Sequence, residues 1–179
     1  GDSWADIEMV HVAVAVELSE ARLPLSTRTH PLHVYFPTEE ATSLPLIIQG
    51  DFALQLDRRQ LASNPEAVPY NSWLLDQVAA HLGDVVAPAL AGLFPGAASV
   101  VAAMTPHASG TGWGADCLRR CIAALRGSRF LPAVDGHPRL PAEALMLPAS
   151  IPSAEEVSRH LHLDDLGRMT VPEVQDSPV

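Results

Sequence analysis

The chain contains no lysine. Its eleven basic residues are all arginine, set against 21 Asp and Glu, for a formal net charge of −10. Such a balance repels phosphate backbones and anionic lipid, so neither a nucleic-acid partner nor a membrane surface is expected. Without lysine a phosphate loop of the Gly-x-x-x-x-Gly-Lys type cannot exist. The Gly-x-Ser-x-Gly elbow of the α/β hydrolases is missing too, and so is the His-Glu-x-x-His pair of the zinc proteases. No apolar run approaches the roughly 20 residues that cross a bilayer. Residues 10–18 are apolar but short and carry His11 and Glu17. No basic leader precedes an apolar run, so no secretory signal is expected. Cysteine is limited to Cys117 and Cys121. Four residues apart on an expected helix, they share one face and read as small buried apolar side chains rather than a redox or metal pair. A cytoplasmic location is the expectation.

What is present is a globular composition. With 47% apolar residues in 179, one domain, or one with a small appendage, can bury a core without staples. The first residue is Gly1 rather than Met, which suggests a piece of a longer protein. Residues 1–8 are read as a lead-in from an upstream domain, 9–150 as the main domain, and 151–179 as a C-terminal helix with a loose tail.

Periodicity orders the elements. Residues 9–18 alternate and are rich in valine, as a strand would be. Residues 19–31 read as a loop. A second strand is expected over 32–36, stopping at Pro37, followed by a loop over 38–45. Residues 46–56 read as a third strand with one solvated face, and 57–70 as turn-rich. Asn71 or Ser72 is placed to cap a helix over 72–94, weakened at Gly83 and kinked or split at Pro88. Residues 97–104 are helix or strand. The loop 105–114 leads into a helix over 115–126, ended by Gly127. Short strands are expected over 129–134 and 144–147, with a turn at Asp135-Gly136 between them. Ser153 and Glu156 have capping-box spacing for a helix over 153–161. Strands first and helices after imply an α+β fold, or α/β with a helical layer: a sheet of mixed or antiparallel strands covered by helices.

Three groups of residues bear on chemistry. His160 and His162, with Asp164 and Asp165, form a metal-like cluster. On a helix, however, residues two apart point in different directions, so solvated polar residues are the first reading and a ligand set the second. Gly110-Thr111-Gly112-Trp113-Gly114 runs into a helix, where backbone N–H groups can hold an anion. Asp116 in the first turn opposes that, and a connector is preferred. Arg58 and Arg59 close the alternating segment. A guanidinium there can reach a phosphate held by another domain, or simply pair with Asp57 or Glu66.

A resemblance separates these alternatives. His33-Val34-Tyr35-Phe36-Pro37-Thr38-Glu39-Glu40 resembles the strand ending in Phe-Pro-Thr that follows the nucleotide-binding domain of sacsin-like ATPases. The apolar strand at 46–56 running into Arg58-Arg59-Gln60-Leu61 is similar to the next piece of that family. So are Asn71-Ser72-Trp73-Leu74-Leu75 and, later, Arg129-Phe130-Leu131-Pro132 with Asp135-Gly136 and Pro141. The matches keep family order across about residues 9–148. The resemblance implies a middle, or transducer, domain of a chaperone-like ATPase of the GHKL (Bergerat-fold) class, built as a split β-α-β module. ATP and magnesium would sit in an upstream domain of the same chain. Arg58 is the first choice, and Arg59 the second, for the residue that meets the terminal phosphate. The Glu-x-x-x-Asn, Asp-x-Gly-x-Gly and lid glycine motifs of the ATP pocket are not in this sequence, so these residues are expected to hold no nucleotide themselves and to be no enzyme in isolation. Protein clients and a homodimer of the longer protein are further implications. The alternative is an independent protein-binding or scaffold module with no nucleotide role; a small enzyme with an unrecognised site is a third reading.

Overall fold

The computed structural model describes residues 9–17, 29–93, 110–131, 133 and 137–144. The fold is α+β: a mixed four-stranded sheet with helices. The chain divides into two compact units. One takes in Ser26–Leu82 and Pro106–Ala123 with the N-terminal strand, and the other Gly83–Thr105 and Ala124–Val179 with a short earlier segment.

The first unit holds the sheet. Strands β1 (Val12–Ala15), β2 (His30–Val34), β3 (Phe36–Leu44) and β4 (Ile47–Gly50) lie in the order β1-β4-β2-β3. β2 pairs antiparallel with β3 and parallel with β4, and β1 pairs antiparallel with β4. The parallel pair β2 and β4 is joined through β3 rather than through a helix, so it is not a β-α-β unit. Leu32 stands opposite Ile48 in that pair, and both are fully buried. With Leu44 and Leu46 they form the apolar floor on which the rest of the unit packs.

β3 is the longest strand, and it occupies residues expected to form a loop. Its inward positions are Thr38, Thr42 and Leu44, all buried, while Pro37, Glu39, Ala41 and Ser43 are exposed. The alternation is genuine but largely polar, which hides it from a hydrophobic reading. Threonine is a good strand former, and here its hydroxyls satisfy β2 directly. Thr38 donates to the Leu32 carbonyl at 2.8 Å and Thr42 to the His30 carbonyl at 2.6 Å. These bonds sit where the β2/β3 register shifts. Pro37 is tolerated because β3 is an edge strand. The turn between β2 and β3 is made by Tyr35 alone, in the left-handed region at φ 60, between the paired residues Val34 and Phe36.

Helix α1 (Ala67–His81) begins five residues before the expected start. The Asn64 carbonyl accepts from the N–H groups of Ala67 and Val68. Pro69 lies in the first turn, where a missing N–H leaves nothing unsatisfied. Ala67, Asn71, Leu74, Leu75, Val78 and Ala79 make its buried face, and α1 lies against β1. Helix α3 (Trp113–Arg126), as far as Ala123, packs beside it. Arg120 donates to Asp116 at 2.9 Å, to the Ser72 carbonyl at 3.2 Å and to Asp76. Asp116 is therefore committed to arginine. Gly114 is buried, and a Cβ added there would fall 2.6 Å from the carbonyl carbon of Ala41 on β3. The glycine-rich run thus serves close packing of α3 on a strand. Cys117 and Cys121 are both buried, as expected from their shared face. A side-chain hydrogen bond to Cys121, together with burial, pushes the Cys117 thiol well above its ordinary range.

In the second unit a single π turn (Leu82–Val86), from Gly83 onward, leads into α2 (Ala87–Leu93). The predicted split at Pro88 takes this form. A proline ring cannot follow a regular α-helical turn without clashing with the carbonyl four residues back, and the wider turn makes room for it. The Ser128 hydroxyl donates to the Gly83 carbonyl in this segment. Among the described residues of the strand expected over 129–134, Leu131 forms an antiparallel bridge with Arg139. Arg129 pairs with Glu143 at 2.8 Å. The segment 97–104, the turn at Asp135-Gly136, the helix over 153–161 and the cluster of His160, His162, Asp164 and Asp165 lie outside the described residues. Among the described residues no helix is long and apolar enough to cross a membrane.

Candidate functional site

Residues 53–62 form a short hairpin that leaves the sheet after β4, and Arg58 sits at its tip. Alternation over 46–56 predicts one continuous strand, but β4 ends at Gly50, the last sheet bond is that of the Asp51 N–H to the His11 carbonyl at 3.1 Å, and only Leu54 pairs again, with Leu61. The hairpin is closed by three backbone hydrogen bonds and one from a side chain. Ala62 donates to Ala53 at 2.8 Å, Gln55 to Gln60 at 2.9 Å, and Arg58 to Gln55 at 2.9 Å. Asp57 Oδ1 then accepts from the Arg59 N–H at 3.0 Å. Arg58 has φ 60. The pairing of Gln55 with Gln60 leaves a four-residue loop, residues 56–59, built around a β-turn, with Arg58 in a left-handed conformation that glycine adopts without strain. An arginine there costs about 1 kcal/mol in backbone strain.

The two arginines differ in what they do. Arg59 is turned back onto the body of the unit. Its carbonyl accepts from the Glu39 N–H at 2.7 Å, and its guanidinium meets the Glu39 carboxylate at 3.4 Å, both side chains being largely exposed. Glu40 Oε1 accepts from the Leu61 N–H at 3.3 Å beside it. Edge strand β3 therefore carries the second arm of the hairpin. Arg58 is exposed, and its guanidinium forms no ion pair or side-chain hydrogen bond among the described residues. A guanidinium is always protonated near neutral pH and presents five donors in a planar fork, suited to phosphate or carboxylate.

The base of the hairpin is fixed by α1. Asn71 is fully buried. Its Nδ2 donates to the carbonyls of Ala53 and Ala62, both at 3.1 Å, and its Oδ1 accepts from the Ala53 N–H at 2.8 Å. One side chain thus ties both arms at the neck. The neighbouring Tyr70 hydroxyl donates to the Asp51 carbonyl at 2.8 Å, just before the hairpin begins. Burial, reinforced by the Asp51 carboxylate, raises the Tyr70 hydroxyl above its ordinary range, so it stays a donor. Sequence reasoning places Asn71 at the helix cap. The signal that locates it correctly is its register: it falls three and four residues before Leu74 and Leu75, on the apolar stripe. A polar side chain on such a stripe must find partners inside.

Beside the hairpin lies an open depression of about 390 Å³, lined by Leu54, Gln55, Leu56, Ala62, Ser63 and Asn64. Trp113 Nε1 donates to Ser63 Oγ at 3.2 Å. Apolar side chains are also displayed. At the β2/β3 turn Tyr35 is 76% and Phe36 79% exposed, and Leu56 is fully exposed near the hairpin tip. Trp73 is half-exposed on α1 and lies against Tyr70, with ring centroids 6.3 Å apart. Among the described residues no three His, Cys, Asp or Glu side chains converge on a possible metal position. Compared with protein-family models, with curated proteins and with solved structures, the chain matches none.

Proposed function

We propose that this chain is the middle, or transducer, domain of a sacsin-like ATPase of the GHKL class, coupling ATP binding and hydrolysis in an upstream domain to conformational change. The observation that supports this reading is the hairpin of residues 53–62. It is braced at its neck, held along one arm, and carries at its tip an arginine whose guanidinium has no partner among the described residues. A guanidinium held outward on a fixed arm is suited to meet the terminal phosphate of ATP bound by another domain and to stabilise charge on it during transfer. Arg58 takes that role ahead of Arg59, whose guanidinium is already engaged with Glu39. ATP and magnesium belong to the upstream domain, and the compartment is the cytoplasm. Protein clients and a homodimer of the longer protein go with the same reading.

The test is ATP turnover by the longer protein, nucleotide-binding domain included. Arg58→Ala should lose on the order of a hundredfold in kcat with ATP affinity kept. Arg59→Ala should stay within a few-fold of wild type. Unchanged turnover in Arg58→Ala overturns the assignment. The exposed Tyr35, Phe36 and Leu56 support a second reading, an independent protein-binding module with no nucleotide role. That reading predicts full turnover in both arginine variants.

A further inference from the structure

We infer that α1 positions the Arg58 hairpin through Asn71, with Tyr70 in support, so that movement of the helix and placement of the guanidinium are one event. The inference rests on the function proposed above. While β3 holds the second arm, few bonds hold the first. The hairpin's own backbone pairing is short, and the sheet ladder ends before the first arm, at the bond of the Asp51 N–H to the His11 carbonyl. The neck is instead fixed by Asn71, whose two N–H donors reach one carbonyl on each arm and whose oxygen takes the N–H of Ala53. Tyr70 holds the chain at Asp51, two residues before the neck. Both side chains come from adjacent positions near the start of α1.

The geometry makes this a rigid bracket. An amide with three bonds to two strands defines both the spacing of the arms and their orientation to the helix. Being fully buried, it cannot exchange those bonds for water, so releasing one leaves an unsatisfied group inside. From the neck to Arg58 is five residues. Arg59, beside the tip, is held by the Glu39 N–H on β3, so a rotation at the neck tilts the tip about that contact, and misplacement on the order of 1 Å at a reacting group can cost about a hundredfold in rate. Asn71 and Tyr70 touch no reacting atom; they are positioning residues.

The experiment is a double-mutant cycle on the longer protein with magnesium-ATP as the probe. Arg58→Ala, Asn71→Ala and the double variant are compared for kcat and KM, while hydrogen exchange at the Leu32 and Ile48 amides reports whether the sheet stays folded. Asn71→Ala should lose about tenfold or more in kcat with KM unchanged, and nothing further should be lost in the double variant, because both substitutions remove the same contact. A merely structural loss would multiply with that of Arg58→Ala, and that outcome overturns the inference. So does wild-type kcat in folded Asn71→Ala. If Asn71→Ala does not accumulate as folded protein, Tyr70→Phe decides. It should lose about threefold in the wild-type background and nothing in the Arg58→Ala background, and equal losses in both overturn the inference. Full turnover in Arg58→Ala removes the proposed function itself, whereas loss in Arg58→Ala with none in Asn71→Ala removes only the bracket.

Discussion

The first unit contains two hairpins, each with a non-glycine residue in the left-handed region at its tip, Tyr35 in one and Arg58 in the other. They differ in what holds them. The β2/β3 hairpin is part of the sheet. β4 pairs along the outer side of β2, and Leu32, Thr38, Thr42 and Leu44 are buried beneath it. The hairpin of residues 53–62 has little ladder of its own and is carried from elsewhere, by Asn71 from α1 and by the Glu39 N–H and the Glu40 side chain of β3. A hairpin supported by a sheet spreads its stability over many backbone bonds. A hairpin supported by brackets concentrates it in a few residues, and its position follows theirs. The second kind suits a segment that must report the movement of another element, which is why the arginine tip rather than the aromatic tip is read as the working one.

The most damaging way to break the comparison is Gly114→Ala. The added methyl would overlap the Ala41 carbonyl, and neither helix nor strand backbone can give way cheaply. Overpacking against backbone costs about 3 kcal/mol or more. Urea unfolding should show that loss together with reduced protection of β3, and a loss below about 1 kcal/mol would mean that α3 does not need its close approach. A smaller effect sharpens the contrast. Thr42→Val keeps shape and strand preference but removes the hydroxyl bonded to the His30 carbonyl. It should cost about 1 kcal/mol in urea unfolding. Because the sheet still holds the hairpin, exchange at the tip should barely change. Large fraying at Tyr35 would show that the β2/β3 hairpin also hangs on single side chains.

Much of this was legible in the sequence, and the misses have physical causes. The α+β class follows from strands preceding helices. The breaks near Gly83 and Pro88 follow from proline's missing donor and ring, although a π turn rather than a simple kink resolves them. The α3 helix, its end near Gly127 and the buried face of Cys117 and Cys121 follow from helical spacing. β3 was hidden because its inward residues are threonines whose hydroxyls replace ladder bonds. The start of α1 was hidden because Asn71 resembles a cap, whereas the turn is opened by a backbone carbonyl at Asn64. At the candidate site the sequence supplied the pair Arg58 and Arg59 but not the difference between them. That difference depends on Glu39, twenty residues away from Arg59 in the chain. No local pattern carries information of that range.

The smallest effect separates strain from use. Arg58 occupies a backbone position that glycine fits without penalty. Arg58→Gly relieves about 1 kcal/mol of left-handed strain, partly offset by the greater freedom of glycine in the unfolded chain. The variant should therefore be slightly more stable than wild type, by about 0.5 kcal/mol in urea unfolding. It should also lose turnover in the longer protein as severely as Arg58→Ala does. Gain of stability with loss of activity would mean that the arginine is kept at the tip for what it contacts, against the preference of the turn. If stability instead falls, the side chain is holding the hairpin together, and the two hairpins are then alike in carrying structural rather than working residues at their tips.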